Sequence, residues 1–196
     1  MLNAFVLDGE FFDVLTTIDE GIVKRVAEGG CPHCGGPLHR GDYPRKPRGG
    51  WIAEAAGAFD SRFSLCCGRD GCRKRATPPS VRFLGRRVYV GAAVIVASAV
   101  ALHVAAAAAI RRATGIAPRT VRRWLGWWHG PFTKTSVFVA ICARMVPVPA
   151  RRDLPESLLA GLDGVATVRV EKLLAMLAPL TTTSVADGSR FVRGAM

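Results

Sequence analysis

Two cysteine pairs restrict this chain more than any other feature. The first is Cys31-Pro32-His33-Cys34, followed by Gly35, Gly36 and Pro37; the second lies in "RFSLCCGRDGCRKR". A redox Cys-x-x-Cys sits at the start of a helix, whose positive dipole end lowers the thiol pKa. Gly-Gly-Pro directly after Cys34 cannot continue a helix. "KRVAEGG" ahead of Cys31 reads as the end of a helix, not as a strand feeding a redox turn. Glycine after a cysteine lets the chain turn so that backbone N–H groups point at sulfur. Two such pairs, separated by a loop of roughly thirty residues, suit a closed tetrahedral four-thiolate site in a ribbon of short hairpins.

The expected ligands are therefore Cys31, Cys34, Cys67 and Cys72, holding one structural zinc per chain. Cys67 is preferred to Cys66 because Gly68 then follows a ligand, as Gly35 follows Cys34. Cys66 stays open as the alternative, and "RFSLC" alternates polar and apolar residues as a half-buried strand does. A disulfide framework is the competing reading of the cysteines. Against it, "MLNAFVLDGEFFDV" has neither a basic segment nor an apolar signal core, so a reducing cytoplasm is expected. His33 and His39 are read as bystanders and Cys142 as a core thiol.

The formal charge of +12 is unevenly spread. Residues 1–70 carry 10 acidic and 8 basic side chains, and residues 153–196 carry 5 and 4. Residues 71–152 hold 15 Lys and Arg and no Asp or Glu. Such a block attracts a polyanion and releases counterions on binding it. Nucleic acid leads; an anionic membrane is the rival. Residues 88–110 carry no charge and are long enough to span a bilayer. Yet "AAVIVASAVALHVAAAAAI" has 10 alanines in 19 residues, and alanine favours helix more than lipid. A membrane is not the expected partner.

The adjoining segment gives that run a soluble use. In "AAAAAIRRATGIAPRTVRRWLGWWHG" a small-residue helix stops at Gly115, a natural left-handed position. Ile116 and Ala117 complete the turn, and Pro118 suits the first turn of a new helix. Val121, Trp124, Leu125 and Trp128 share one face of it by i, i+3, i+4, i+7 spacing. Arg119, Thr120, Arg122 and Arg123 lie on the other, at its start. Two helices joined by a short glycine turn, the second opening on arginines, form the DNA-reading geometry. The candidate DNA contacts are Arg73, Lys74, Arg75, Arg86, Arg87, Arg111, Arg112, Arg119, Thr120, Arg122 and Arg123.

"GIAPRTVRRW" resembles the recognition-helix signature of helix-turn-helix modules in bacterial insertion-sequence transposases and their regulators. "CPHCGG" with "CGRDGC" resembles the zinc ribbons placed ahead of such modules. Arg111 departs from the pattern, since these modules usually carry Ala four residues before the turn glycine. The resemblance spans about residues 30–130. It implies a non-catalytic accessory or regulatory protein of a mobile element, acting on double-stranded DNA in transposition or transcription control. A recombinase or transposase partner and a nucleoid-associated, cytoplasmic location go with it.

The expected fold is mainly α with a small β zinc ribbon and a helix-turn-helix core. Residues 1–29 make an N-terminal helix, 30–83 the ribbon, 84–132 the helix-turn-helix and 133–196 a C-terminal helical segment. The stretch 40–50, "RGDYPRKPRGG", reads as an extended linker whose Arg45, Lys46 and Arg48 could follow a phosphate backbone or simply be solvated. The C-terminal helices offer a surface for a homodimer. No catalytic residues are assigned. No carboxylate lies between Asp70 and Asp153, which leaves no room for a two-metal nuclease fold with three acids. Neither a deaminase motif nor a phosphate loop is present. The remaining alternatives are an enzyme fragment, a thiol oxidoreductase using Cys31 and Cys34, or a membrane-anchored zinc protein.

Overall fold

The computed structural model describes residues 7–51, 53–55, 57, 59–84, 89–104 and 106–185. Helix α1 (Gly9–Glu28) starts where the Asp8 carboxylate accepts the Phe11 N–H at 3.0 Å, an N-cap that satisfies one orphan donor of the first turn. Phe11, Phe12, Leu15, Ile18, Ile22, Val23 and Val26 recur at helical spacing and are buried together, as an amphipathic helix requires. Gly29 and Gly30 end it, Gly30 with φ +73°.

Short strands come next: β1 (Leu38–Arg40), β2 (Tyr43–Pro44), β3 (Ser61–Arg62), β4 (Leu65–Cys67), β5 (Arg75–Ala76), β6 (Phe83–Leu84) and β7 (Tyr89–Val90). The pairings between these strands are antiparallel: β1-β4-β5 form one sheet, β2 pairs with β3, and β6 with β7. Then come α2 (Gly91–Leu102), α3 (Ala107–Thr114), α4 (Pro118–His129), α5 (Ser136–Cys142), α6 (Glu156–Ala160) and α7 (Ala166–Leu177). The protein is mainly α with small antiparallel sheets. Its buried apolar residues form one cluster that reaches from Leu7 to Val185.

Helix α2 is the centre of that cluster. Every residue from Gly91 to Val100 is buried. A helix apolar all round must be enclosed, and α3, α4, α7, β6 and β7 all touch it. Its small side chains allow close approach: a Cβ on Gly91 would lie 2.6 Å from Leu174 Cδ2 of α7. The uncharged run does not continue as one helix to Gly115. It breaks at His103, whose imidazole Nε2 lies 2.7 Å from Glu156 Oε2 of α6, and the helix restarts at Ala107. Among the described residues no helix is long and apolar enough to cross a membrane.

A buried ion pair joins distant parts of the chain. Asp19 sits on the inward face of α1, and its Oδ2 accepts from Arg82 Nε at 2.8 Å. Both side chains are sealed from water, at 1% and 0% exposure. Ser80 Oγ donates to the same carboxylate at 2.5 Å and the Val81 N–H at 2.7 Å. The Arg82 guanidinium stacks 3.7 Å from the Phe63 ring centroid, with Phe59 and Phe83 beside it. Ser80 N–H in turn donates to Thr181 Oγ1 after α7. The pair thus ties α1 to residues 80–82, and Ser80 ties these to the turn that follows α7. Asp19→Ala should lower unfolding free energy by about 3–5 kcal/mol, because a buried guanidinium loses its carboxylate. Asp19→Leu with Arg82→Met should recover much of the loss, and urea denaturation of the two variants checks both outcomes.

Candidate metal centre

The end of α1 delivers the first cysteine pair. Gly30 at positive φ turns the chain, and Cys31 N–H donates to Gly36 O at 2.9 Å. Gly35 N–H returns to Cys31 O at 2.8 Å, with Gly35 itself at φ +68°, a conformation that costs glycine little. The second pair comes from the end of β4. Cys67 closes that strand, and a turn through Gly71 (φ +81°) brings Cys72 back, its N–H donating to Arg69 O at 3.1 Å.

These two turns converge. Cys31 and Cys72 sulfurs are 3.8 Å apart, those of Cys34 and Cys67 3.5 Å, and all four lie within 4.8 Å of one another. A tetrahedron with metal–sulfur bonds of about 2.3 Å has sulfur–sulfur edges of about 3.8 Å. Cys31, Cys34, Cys67 and Cys72 therefore form a tight group that could hold a metal ion, and the donor set suits a soft or borderline cation. Arg69 N–H points at Cys67 Sγ from 3.4 Å, and the Gly36 backbone is so near that a Cβ there would meet two of the sulfurs at 3.3 Å.

The pleat decides between the adjacent cysteines. Successive residues of a strand face opposite sides, so Cys67 joins the group and Cys66 turns away. The Cys66 sulfur abuts Gly41, where a Cβ would come within 2.9 Å of it. His33 and His39 are not members of the group. The His39 ring covers Gly68 instead, and a Cβ at Gly68 would lie 2.5 Å from its Nε2.

The thiols titrate apart. The His33 N–H, helped by that of Cys34 and opposed by burial, brings Cys31 down to about 7. At Cys67 the Arg69 N–H pulls downward, but burial and the three neighbouring thiols together push it up to about 12. Four sulfurs this close cannot all be anionic unless a cation compensates them.

The second candidate region is the α3–α4 pair. Gly115, at φ +68°, ends α3, its N–H bonded to Arg111 O at 2.9 Å, and Pro118 is the first residue of α4. Val121, Trp124 and Trp128 are buried and Leu125 is half-buried. Arg111, Arg112, Arg119 and Arg122 are exposed, and none makes an ion pair among the described residues. Thr120 is half-buried. Arg123 is exposed but donates to the Tyr89 hydroxyl and lies 5.6 Å from that ring's centroid.

The remaining candidates scatter around the cysteine turns. Arg73 pairs with Asp70 at 2.6 Å, Lys74 is exposed, and Arg75 Nη1 donates to Gly41 O and Ser64 Oγ. Arg86 and Arg87 lie outside the described residues. No residue pattern signals that Tyr89 links Arg123 to Trp124, on which its ring packs edge-on at 5.2 Å. No protein-family model matches this chain, and comparison with curated proteins and with solved structures finds no match either.

A thiol group of this kind binds metal in competition with protons. Cys31→Ser and Cys72→Ser should each lose the ion, while Cys66→Ser and Cys142→Ser keep it, as elemental analysis of the purified variants would record. Because Cys67 is protonated at neutral pH without the ion, loading releases its proton. Metal affinity should therefore rise with pH, and a chromogenic chelator should strip the protein more readily at pH about 6 than at about 8.

Proposed function

We propose that this protein is a zinc-ribbon, helix-turn-helix protein that binds double-stranded DNA without altering it. The observation that carries the reading is the division of α4. Val121, Trp124 and Trp128 are buried on one side, while Arg119 and Arg122 stand exposed one turn apart at its start. An exposed helix start with arginines, set off from the preceding helix by a left-handed glycine, is the form in which a recognition helix enters a major groove. Arginine suits both phosphate oxygens and the O6/N7 edge of guanine. The absence of any acidic residue from 71 to 152 leaves that surface without internal neutralisation.

Zinc is the metal this reading assigns to Cys31, Cys34, Cys67 and Cys72. Four thiolates leave no open coordination position, so the ion would hold the hairpins together and supply no chemistry to a substrate. The resemblance to transposon-associated modules supports a role beside a recombinase or transposase, recognising element ends or repressing transcription. Pairing through the C-terminal helices would let two copies address two half-sites.

Arginines on α4 should separate into two kinds. One that meets a guanine edge should, as alanine, cost about 1–3 kcal/mol and relax preference at one base position. One that only neutralises phosphate should weaken all duplexes alike and reduce the salt slope by about one. Trp124→Ala should instead lower folding stability by about 3–5 kcal/mol through lost burial. Salt titrations of duplex binding, with thermal melting in parallel, distinguish these effects. An Arg119, Arg122 and Arg123 triple alanine variant that stays folded and binds with unchanged affinity and salt slope overturns the assignment.

A further inference from the structure

The segment 45–50 carries Arg45, Lys46 and Arg48 and ends on Gly49 and Gly50. Far from hanging between two modules, it is fixed at both ends. Arg45 N–H donates to Asp60 O at 2.6 Å, which anchors it beside the β2–β3 pair. The Val90 N–H donates to Arg48 O at 2.9 Å, and Arg48 forms a parallel bridge with Tyr89.

The two glycines set where the segment lies. A Cβ on Gly49 would come 3.1 Å from Ala93 Cβ of α2 and 3.9 Å from the Trp124 ring of α4. A Cβ on Gly50 would come 2.9 Å from Thr114 O, with the Ile116 side chain close behind. The backbone therefore crosses directly over the turn between α3 and α4, an approach only glycine permits. Lys46 and Arg48 remain exposed. Arg48 stands beside Tyr89, whose hydroxyl accepts from Arg123 of α4. The neighbouring Asp42 carboxylate is already engaged, by Arg40 and by the Ser64 N–H.

We propose that residues 45–48 are a second DNA contact, an arm gripping the phosphate backbone, positioned by Gly49 and Gly50 against the turn that precedes α4. The inference rests on the DNA-binding reading of α4 and adds to it. Lys46 and Arg48 neutralise phosphates flanking the groove that α4 occupies, so the arm contributes affinity and orientation and reads no base.

The test is a salt titration of the full-length protein on a fluorescently labelled random-sequence duplex and on a duplex selected from a random pool. Lys46→Gln with Arg48→Gln should reduce the salt slope by about two and weaken both duplexes by the same factor. Lys24→Gln with Lys172→Gln removes the same charge from α1 and α7 and should leave the slope unchanged. A folded arm variant with the wild-type slope, or a control variant that lowers the slope equally, overturns the arm. Arg119→Ala with Arg122→Ala keeps the two readings apart. If that variant loses binding while the arm variant does not, only the arm fails; if neither changes binding, the DNA reading itself fails.

Discussion

Because Gly91 to Val100 are all buried, α2 needs neighbours on every side, and the positions of the other helices follow from that demand. Alanine and glycine on α2 leave room for the larger side chains of its neighbours, such as Leu174 of α7 against Gly91. Helix α4 meets this requirement with Val121, Trp124 and Trp128. Its arginines face outward as a result: the basic surface is the complement of a core contact. Enlarging a residue of α2 would accordingly be felt on the far side of α4, where no α2 atom lies.

The cysteine-bearing half has a different problem. Strands of two or three residues cannot support themselves by pairing alone, and the sheet β1-β4-β5 exposes much of its surface. One cross-link is the set of bonds from Asp19 to Arg82, Ser80 and the Val81 N–H; an ion held by the four converging sulfurs would add a second. A buried ion pair gives up hydration on both partners, so its net contribution against an apolar alternative is small. What it supplies here is alignment, since the carboxylate accepts three donors from consecutive residues and fixes residues 80–82, just ahead of β6, against α1.

The cysteine group was largely legible because its signals are local. Gly35, Gly68 and the spacing of the pairs all act within a few residues; the choice of Cys67 over Cys66 is closed only by the pleat of β4, which places the two sulfurs on opposite sides. The α3–α4 boundary was legible for the same reason, through Gly115 and Pro118. Three features were not. Asp19 reads as one more acid on an amphipathic helix, and only its contacts more than sixty residues away show why it faces inward. The break at His103, where the ring meets Glu156 of α6, has no local signal, since the alanines on either side suit helix equally well. Segment 45–50 looks like a solvated linker because its anchors are backbone groups, Arg45 N–H and Arg48 O, which leave no compositional trace.

The relative placing of the sulfur group and the buried ion pair bears on the order of assembly. Asp19 and Ser80 are 61 residues apart along the chain, and bringing them together requires closing that loop. An ion held by Cys31 and Cys72 would offer a shorter path, from Asp19 to the metal and onward to Ser80, of about a third of the contour. Chain closure over the shorter path costs about 1 kcal/mol less entropy. Such an ion would therefore do more than fasten two hairpins. It would convert a long-range encounter between α1 and residues 80–82 into a nearly local one.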